Sequence, residues 1–96
     1  MAGYAVFDLL QVTDSAKMDE YRQKVRATIE KHGGRVVVAG GKFEVVEGSA
    51  KPTFPVILEF TSLEAARRWY DSEEYRPLKA LRLAAAQANG FLVQGV

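Results

Sequence analysis

Cysteine is absent from the 96-residue chain, and histidine occurs once. No disulfide, thiolate metal site or thiol nucleophile can form. A lone His32 leaves a zinc or iron site short of the several nitrogen or sulfur ligands it needs. His32 could serve as an axial haem ligand, but nothing else in the sequence asks for haem, so the expectation is no metal and no cofactor. Charge of one sign is also missing: 13 Lys and Arg against 12 Asp and Glu leave a net charge of +1. That gives little attraction for a polyanion. No run approaches the ~18 consecutive apolar residues needed to cross a bilayer. The opening "MAGYAVFDLLQV" has no basic leader and carries Asp8 within its apolar run. It reads as a first strand, not a signal peptide. These absences set the expectation of a cytoplasmic protein with no membrane and no nucleic-acid partner.

What remains is an ordinary globular composition, 48% hydrophobic and 26% charged. The length suits one domain over residues 1–96. A domain this small buries only roughly 60–65% of its unfolded surface, so leftover apolar area favours a partner subunit.

Residues 4–12, "YAVFDLLQV", are β-prone, with Tyr4, Val6, Asp8, Leu10 and Val12 on one face and Ala5, Phe7, Leu9 and Gln11 on the other. Thr13 and Asp14 offer helix-capping oxygens. Met18, Tyr21, Val25, Ile29 and His32 then fall near one helical stripe, which Gly33-Gly34 ends. "RVVVAG" and "KFEVVEG" read as two strands joined at Gly40-Gly41 by a tight turn. Glu44 and Glu47, three residues apart, would face opposite sides of the second. Pro52 and Pro55 delay the next strand to about residue 55. In "VILEF", Val56, Leu58 and Phe60 share a face opposite Ile57 and Glu59. "TSLE", 61–64, has capping-box spacing, with Thr61 as the cap and Glu64 reaching back. Leu63, Ala66 and Tyr70 form that helix's stripe, with Trp69 beside it. "DSEE", 71–74, repeats the capping pattern, and Pro77 breaks the helix. A further helix runs over Leu78, Leu81, Ala85 and Ala88 to Asn89-Gly90, and "FLVQGV" closes as a strand.

Counted with "KFEVVEG" the chain carries five strands, one more than the β-α-β-β-α-(α)-β order of the split βαβ arrangement; the expected class is that α+β ferredoxin-like fold, an antiparallel sheet with helices on one face. Several strands look apolar on both faces. The face without helices needs a cover, and a second copy of the chain is the simplest one.

The stretches "KHGGRVVVAGGKFEVVEG" and "VILEFTSLEAARRWYDSEEYRPLKALR", with "GY" opening the first strand and "VQGV" closing the last, resemble an uncharacterised family of proteins of about this length in the dimeric α/β-barrel superfamily. The resemblance covers nearly the whole chain. It implies a ferredoxin-like subunit that pairs sheet to sheet into a barrel, and it implies no reaction. More distant members include cofactor-free monooxygenases, muconolactone isomerases and haem-handling enzymes, and fold alone does not carry function across such distances.

Trp69, Tyr75 and Arg82 flank the helix break. An indole, a phenol and a guanidinium suit an aromatic or planar acid, by stacking and by bidentate contact with a carboxylate. The competing expectation packs both aromatics in the core and pairs Arg82 with Glu73 or Glu74. Glu59 and Asp8 are in-strand acids. Facing a dimer barrel, such an acid needs a pairing cation, Arg35 or Arg82, or has its pKa raised and can move a proton. Otherwise it makes an interface ion pair. His32 has the bland reading of a helix C-terminal residue interacting with free carbonyls. RNA binding is disfavoured, because "KFEVVEG" puts two acids where a basic, aromatic strand is needed. No phosphate-loop motif is present.

The expected ligand site therefore comprises Tyr21, Trp69, Tyr75 and Arg82, with His32 near its mouth. The expected catalytic pair is Arg82, orienting the anion, and Glu59, moving a proton. The functional expectation is a homodimeric cofactor-independent enzyme, monooxygenase- or isomerase-like, for a small apolar or aromatic acid. The rivals are a non-catalytic ligand-binding or stress-associated accessory protein and a purely structural dimer module.

Overall fold

A computed structural model describes all 96 residues. The elements are β1 (Gly3–Val12), α1 (Ser15–Lys31), β2 (Arg35–Ala39), β3 (Pro55–Phe60), α2 (Leu63–Tyr70), α3 (Arg76–Ala85) and β4 (Ala86–Gln94). The strands form one antiparallel sheet in the order β2-β3-β1-β4. This is the ferredoxin-like α+β arrangement expected from the sequence.

Local chemistry explains the ends of α1. The Asp14 carboxylate accepts from the Lys17 N–H at 3.1 Å, supplying one of the donors that a helix start leaves unpaired. At the other end Gly33 N–H reaches the Glu30 carbonyl at 3.0 Å and Gly34 N–H reaches that of Ile29 at 2.9 Å. Gly33 sits at φ 76°, so the closure is a Schellman motif.

Ala5, Leu58 and Phe60 of the sheet pack with Ile29, Ala65, Ala66, Trp69, Tyr75 and Leu78 of the helices to form the main core. A second cluster joins Leu9, Met18, Ala85 and Ala86. Side chains directly opposite across a ladder share a face. Tyr4 opposes Glu59 and Val93, and Val6 opposes Ile57 and Phe91. Alternation places these on the face that the helices leave bare. There Phe91 is 60% and Val93 42% exposed.

Four local expectations are corrected. Residues 41–50 contain no strand and form no hairpin at Gly40-Gly41; they are exposed throughout, Glu44 and Glu47 included. The ladder partner of β2 is β3, reached by a long excursion instead of a tight turn. The cap of α2 is Ser62, whose Oγ accepts from Ala65 N–H at 3.0 Å, not Thr61. Helix α3 stops at Ala85, and Asn89-Gly90 lies inside β4. The backbone ladder of β1 captures the chain from Ala86 onward, overriding its helical periodicity. Finally, a bulge between Leu9 and Gln11 shifts the register of β1 against β4. It breaks the alternation that grouped Val12 with Tyr4 and Val6: Ala86, opposite Val12, belongs to the helix-side core.

Candidate functional site: an apolar cavity closed by a buried arginine

A cavity of about 260 Å³ lies between α1 and the helix-covered face of the sheet. Its walls are mostly apolar, with Phe7 and Leu9 from β1, Val56 and Leu58 from β3, and Met18 and Val25 from α1. Its polar residues are Tyr21, Arg22, Arg26 and Arg82, with the Arg22 guanidinium paired to Asp19 at 3.4 Å. No carboxylate lines it.

Arg82 is the least expected feature. It is 6% exposed and the one charged residue in the buried set. None of the ion pairs includes it: Glu73 pairs with Arg76 at 3.0 Å and Glu74 with Lys31 at 2.7 Å. The expected pairing with either acid is thus corrected, because both acids are taken by nearer cations. Instead Arg82 Nε–H donates to the Tyr75 hydroxyl at 3.3 Å, and the guanidinium carbon lies 5.1 Å from the centre of the Phe7 ring. A buried cation normally has an opposite charge beside it, because desolvation is costly. Here the cation faces two phenols and an aromatic ring, and its terminal N–H groups remain for an acceptor from outside the chain.

Packing fixes the pose of Arg82. Tyr75 is fully buried, and its hydroxyl lies 2.8 Å from that of Tyr21. The Trp69 ring packs against Tyr75 with centroids 4.2 Å apart, and its Nε1–H donates to Thr28 Oγ1 at 3.0 Å. Ser72 steadies the α2–α3 turn: its hydroxyl donates to the Trp69 carbonyl and accepts from Tyr75 N–H. Gly90 leaves the space that the Phe7 ring fills, since a Cβ there would come within 2.4 Å of it. Burial first, then the neighbouring Tyr75 phenol, pushes the Tyr21 hydroxyl well above the ordinary tyrosine range. Tyr21 is therefore a neutral hydrogen-bonding group at physiological pH. Burial acts to discharge Arg82, but the oxygens of Tyr75 and Tyr21 outweigh it and Arg82 is held more firmly charged.

The structure brings four of the expected residues together. Tyr21 and Arg82 line the cavity, whereas Trp69 and Tyr75 stand behind it as buried support. His32 is not among the lining residues. It caps the C-terminus of α1, its Nε2 buried without a hydrogen bond and 3.8 Å from the Glu74 carboxylate. Glu59 does not join Arg82, because alternation along β3 turns its carboxylate to the opposite face of the sheet. There Arg35 Nε–H donates to it at 2.8 Å and Tyr4 O–H at 3.1 Å. Those bonds, Arg35 foremost, hold its pKa below the ordinary glutamate value. That is opposite to the raised value a proton-moving acid would need. Asp8 is also engaged, accepting from the N–H groups of Thr53 and Phe54 at 2.9 and 2.8 Å. Arg22 and Arg26, overlooked in the sequence, were legible as an i, i+4 cationic pair on the cavity side of a helix. No group of three His, Cys, Asp or Glu side chains is placed to hold a metal ion, and no helix is long and apolar enough to cross a membrane.

Comparison with solved structures gives the fold its relatives. A protein of unknown function from Rhodopseudomonas palustris superposes with a TM-score of 0.74 at 17% identity, over 99% of this chain and 83% of that one. A dimeric ferredoxin-like protein of unknown function from Jannaschia gives 0.64 at 11% identity, over 99% and 100%. SnoaB, a cofactor-independent oxygenase from Streptomyces nogalater, gives 0.63 at 14%, over 99% and 91%. At these identities the likeness is one of fold. No curated protein matches the chain. A family model does match, over residues 2–96, and by it the chain belongs to the family described as a domain of unknown function, DUF1330.

Proposed function

We propose that this protein binds a small apolar or aromatic acid in the cavity beneath α1, with the acid's anionic group on Arg82. The observation that carries the reading is the buried guanidinium without a carboxylate at an otherwise apolar cavity. An anionic ligand would supply the missing counter-charge, and bidentate contact would fix its orientation. Tyr21 contributes a phenol beside the anion, Trp69 and Tyr75 hold the site rigid, and Arg22 and Arg26 attract the ligand at the rim. His32 has no role in it.

The test is calorimetric titration with benzoate and short aliphatic acids, each against its uncharged amide. The acid should bind at least tenfold more tightly than the amide, and Arg82→Gln should abolish that preference while leaving the far-ultraviolet spectrum unchanged. Equal binding of acid and amide, or an unaffected variant, would overturn the reading.

A catalytic version has one observation in its favour. Arg82 and the neutral Tyr21 phenol, both lining the cavity, can together stabilise an oxyanion, which is the largest single contribution in many enzymes. The SnoaB likeness, at the level of fold, makes cofactor-independent chemistry the natural form of it. Turnover of a bound acid, lost in Tyr21→Phe with binding retained, would establish catalysis. Binding without turnover would leave a non-catalytic accessory protein. The proton-moving role foreseen for Glu59 is not carried forward, because the sheet separates it from the cavity.

The protein is further proposed to be a homodimer, joined through the bare sheet face, acting in the cytoplasm. Tyr4, Arg35 and Glu59 would then form the polar centre of an interface surrounded by Val6, Ile57, Phe91 and Val93. The exposed apolar side chains on that face support this.

A further inference from the structure

We infer that the segment between β2 and β3 is an arm that docks on a second copy of this chain. The inference rests on the proposed sheet-face dimer and adds to it the part of the surface that makes the pairing specific. No backbone hydrogen bond within the chain involves residues 41–52, and no side-chain hydrogen bond or ion pair does either. Residues 41–50 are all exposed. Yet this segment carries Phe43, Val45 and Val46, exposed to 41%, 44% and 86%. Its sequence, "KFEVVEG", is β-prone and reads as a strand. A strand-like, apolar sequence that pairs with nothing in its own chain is a local preference left unanswered, and burial of its apolar side chains against another copy takes them out of water.

Both ends of the arm are fixed to the sheet. Gly40 N–H bonds the Pro55 carbonyl at 2.7 Å, and Gly40, at φ 66°, leaves the room that the Phe54 ring occupies. Asp8 grips the returning chain through the N–H groups of Thr53 and Phe54. With both roots pinned, residues 41–50 between them stay exposed. The charges favour a second copy. Lys42 and Lys51 balance Glu44 and Glu47 within the arm, so two arms related by a twofold axis meet no net repulsion and can pair oppositely charged groups. Apolar exposure points the same way: Phe91 and Val93 on the bare face and Phe43, Val45 and Val46 on the arm all lie open to water, and contact between two copies removes both patches from it. The landing site is the partner's bare sheet face, where Phe91 and Val93 are exposed.

Sedimentation analysis of the whole chain, with and without Val45→Glu and Val46→Glu together, tests this. The unaltered protein should be dimeric, and the double variant should dissociate at least tenfold more readily with an unchanged far-ultraviolet spectrum. Isotope-filtered nuclear Overhauser spectra of a mixture of labelled and unlabelled unaltered protein should show contacts from the Val45 and Val46 methyls to the other copy. This second measurement needs no variant to fold. A dimer whose dissociation the double variant does not change, with no such contacts, would overturn the arm's role and leave the sheet-face dimer standing. A protein that stays monomeric at millimolar concentration would overturn the dimer itself, and the arm's docking with it.

Discussion

At the scale of single residues, Arg82 is buried without a counter-charge, yet the oxygens of Tyr75 and Tyr21 outweigh the desolvation and hold it charged. Arg82→Met removes the bond to the Tyr75 hydroxyl and is expected to lower the unfolding free energy by about 1 kcal/mol, read by thermal or urea denaturation, while removing the proposed acid binding. A gain of stability instead would mean that the desolvation cost outweighs the Tyr75 hydrogen bond. Two other residues shape the response to pH. Glu59 has a folded pKa below the ordinary 4.5. Its contribution to stability is therefore present above that value and is lost as pH falls through the lower folded one. Glu59→Gln should flatten this acid limb, measured as denaturation midpoint against pH. The Tyr21 phenol is shifted the other way. Its contribution is present below the ordinary tyrosine value of 10.0 and is lost as pH rises above it. Absorbance titration of the phenolates should show at least one group that ionises only as the fold opens, absent in Tyr21→Phe. The residue types of this site could be read from the sequence, since Tyr21, Trp69, Tyr75 and Arg82 do meet. Their division into two that line the cavity and two that support it could not. Trp69 and Tyr75 are large and apolar enough either to pack or to clamp, and only their burial decides.

Among the elements, the ends of helices separate what is local from what is not. Asp14 and Gly33-Gly34 bound α1 through hydrogen bonds made within a few residues, so composition was enough. The start of α2 was displaced by one residue because Thr61 and Ser62 both carry a capping hydroxyl, and the turn out of β3 chooses between them. Ser62→Ala should destabilise the protein by about 1 kcal/mol, whereas Thr61→Ala, whose side chain caps nothing, should change it little. Denaturant midpoints of the two variants check this, and a larger effect at Thr61 would contradict the observed cap. The end of α3 departs from its periodicity for a stronger reason. Its apolar spacing continues to Ala88, but β1 offers a ladder from Gly3 to Val12, and that non-local partner outweighs a modest helical preference.

On the scale of the whole molecule, the sheet has one face that the helices cover and one that they leave bare. An acid placed on the bare face should split the proposed dimer without unfolding the subunit. Phe91→Asp, at a side chain already 60% exposed, is expected to weaken dimerisation at least tenfold by sedimentation and to leave the proposed acid binding in the cavity on the covered face intact. A variant that loses both would show that dimer and cavity are coupled through the sheet. Phe7 and Arg82 would be the first residues to examine, because they also line a second cavity of about 230 Å³ beside β4.

The sequence by itself determined the ferredoxin-like class, the places of β1, α1, β2, β3 and α2 along the chain, and the shortage of helix for one sheet face. These follow from periodicity, capping chemistry and turn residues, which act over a few positions along the chain. Only the tertiary structure decided that Glu59 and Arg82 lie on opposite sides of the sheet, that Arg82 has no acidic partner, and that residues 42–48 pair with no strand of their own chain. Each of those outcomes depends on register and on competition among distant groups for the same hydrogen bonds and the same buried space.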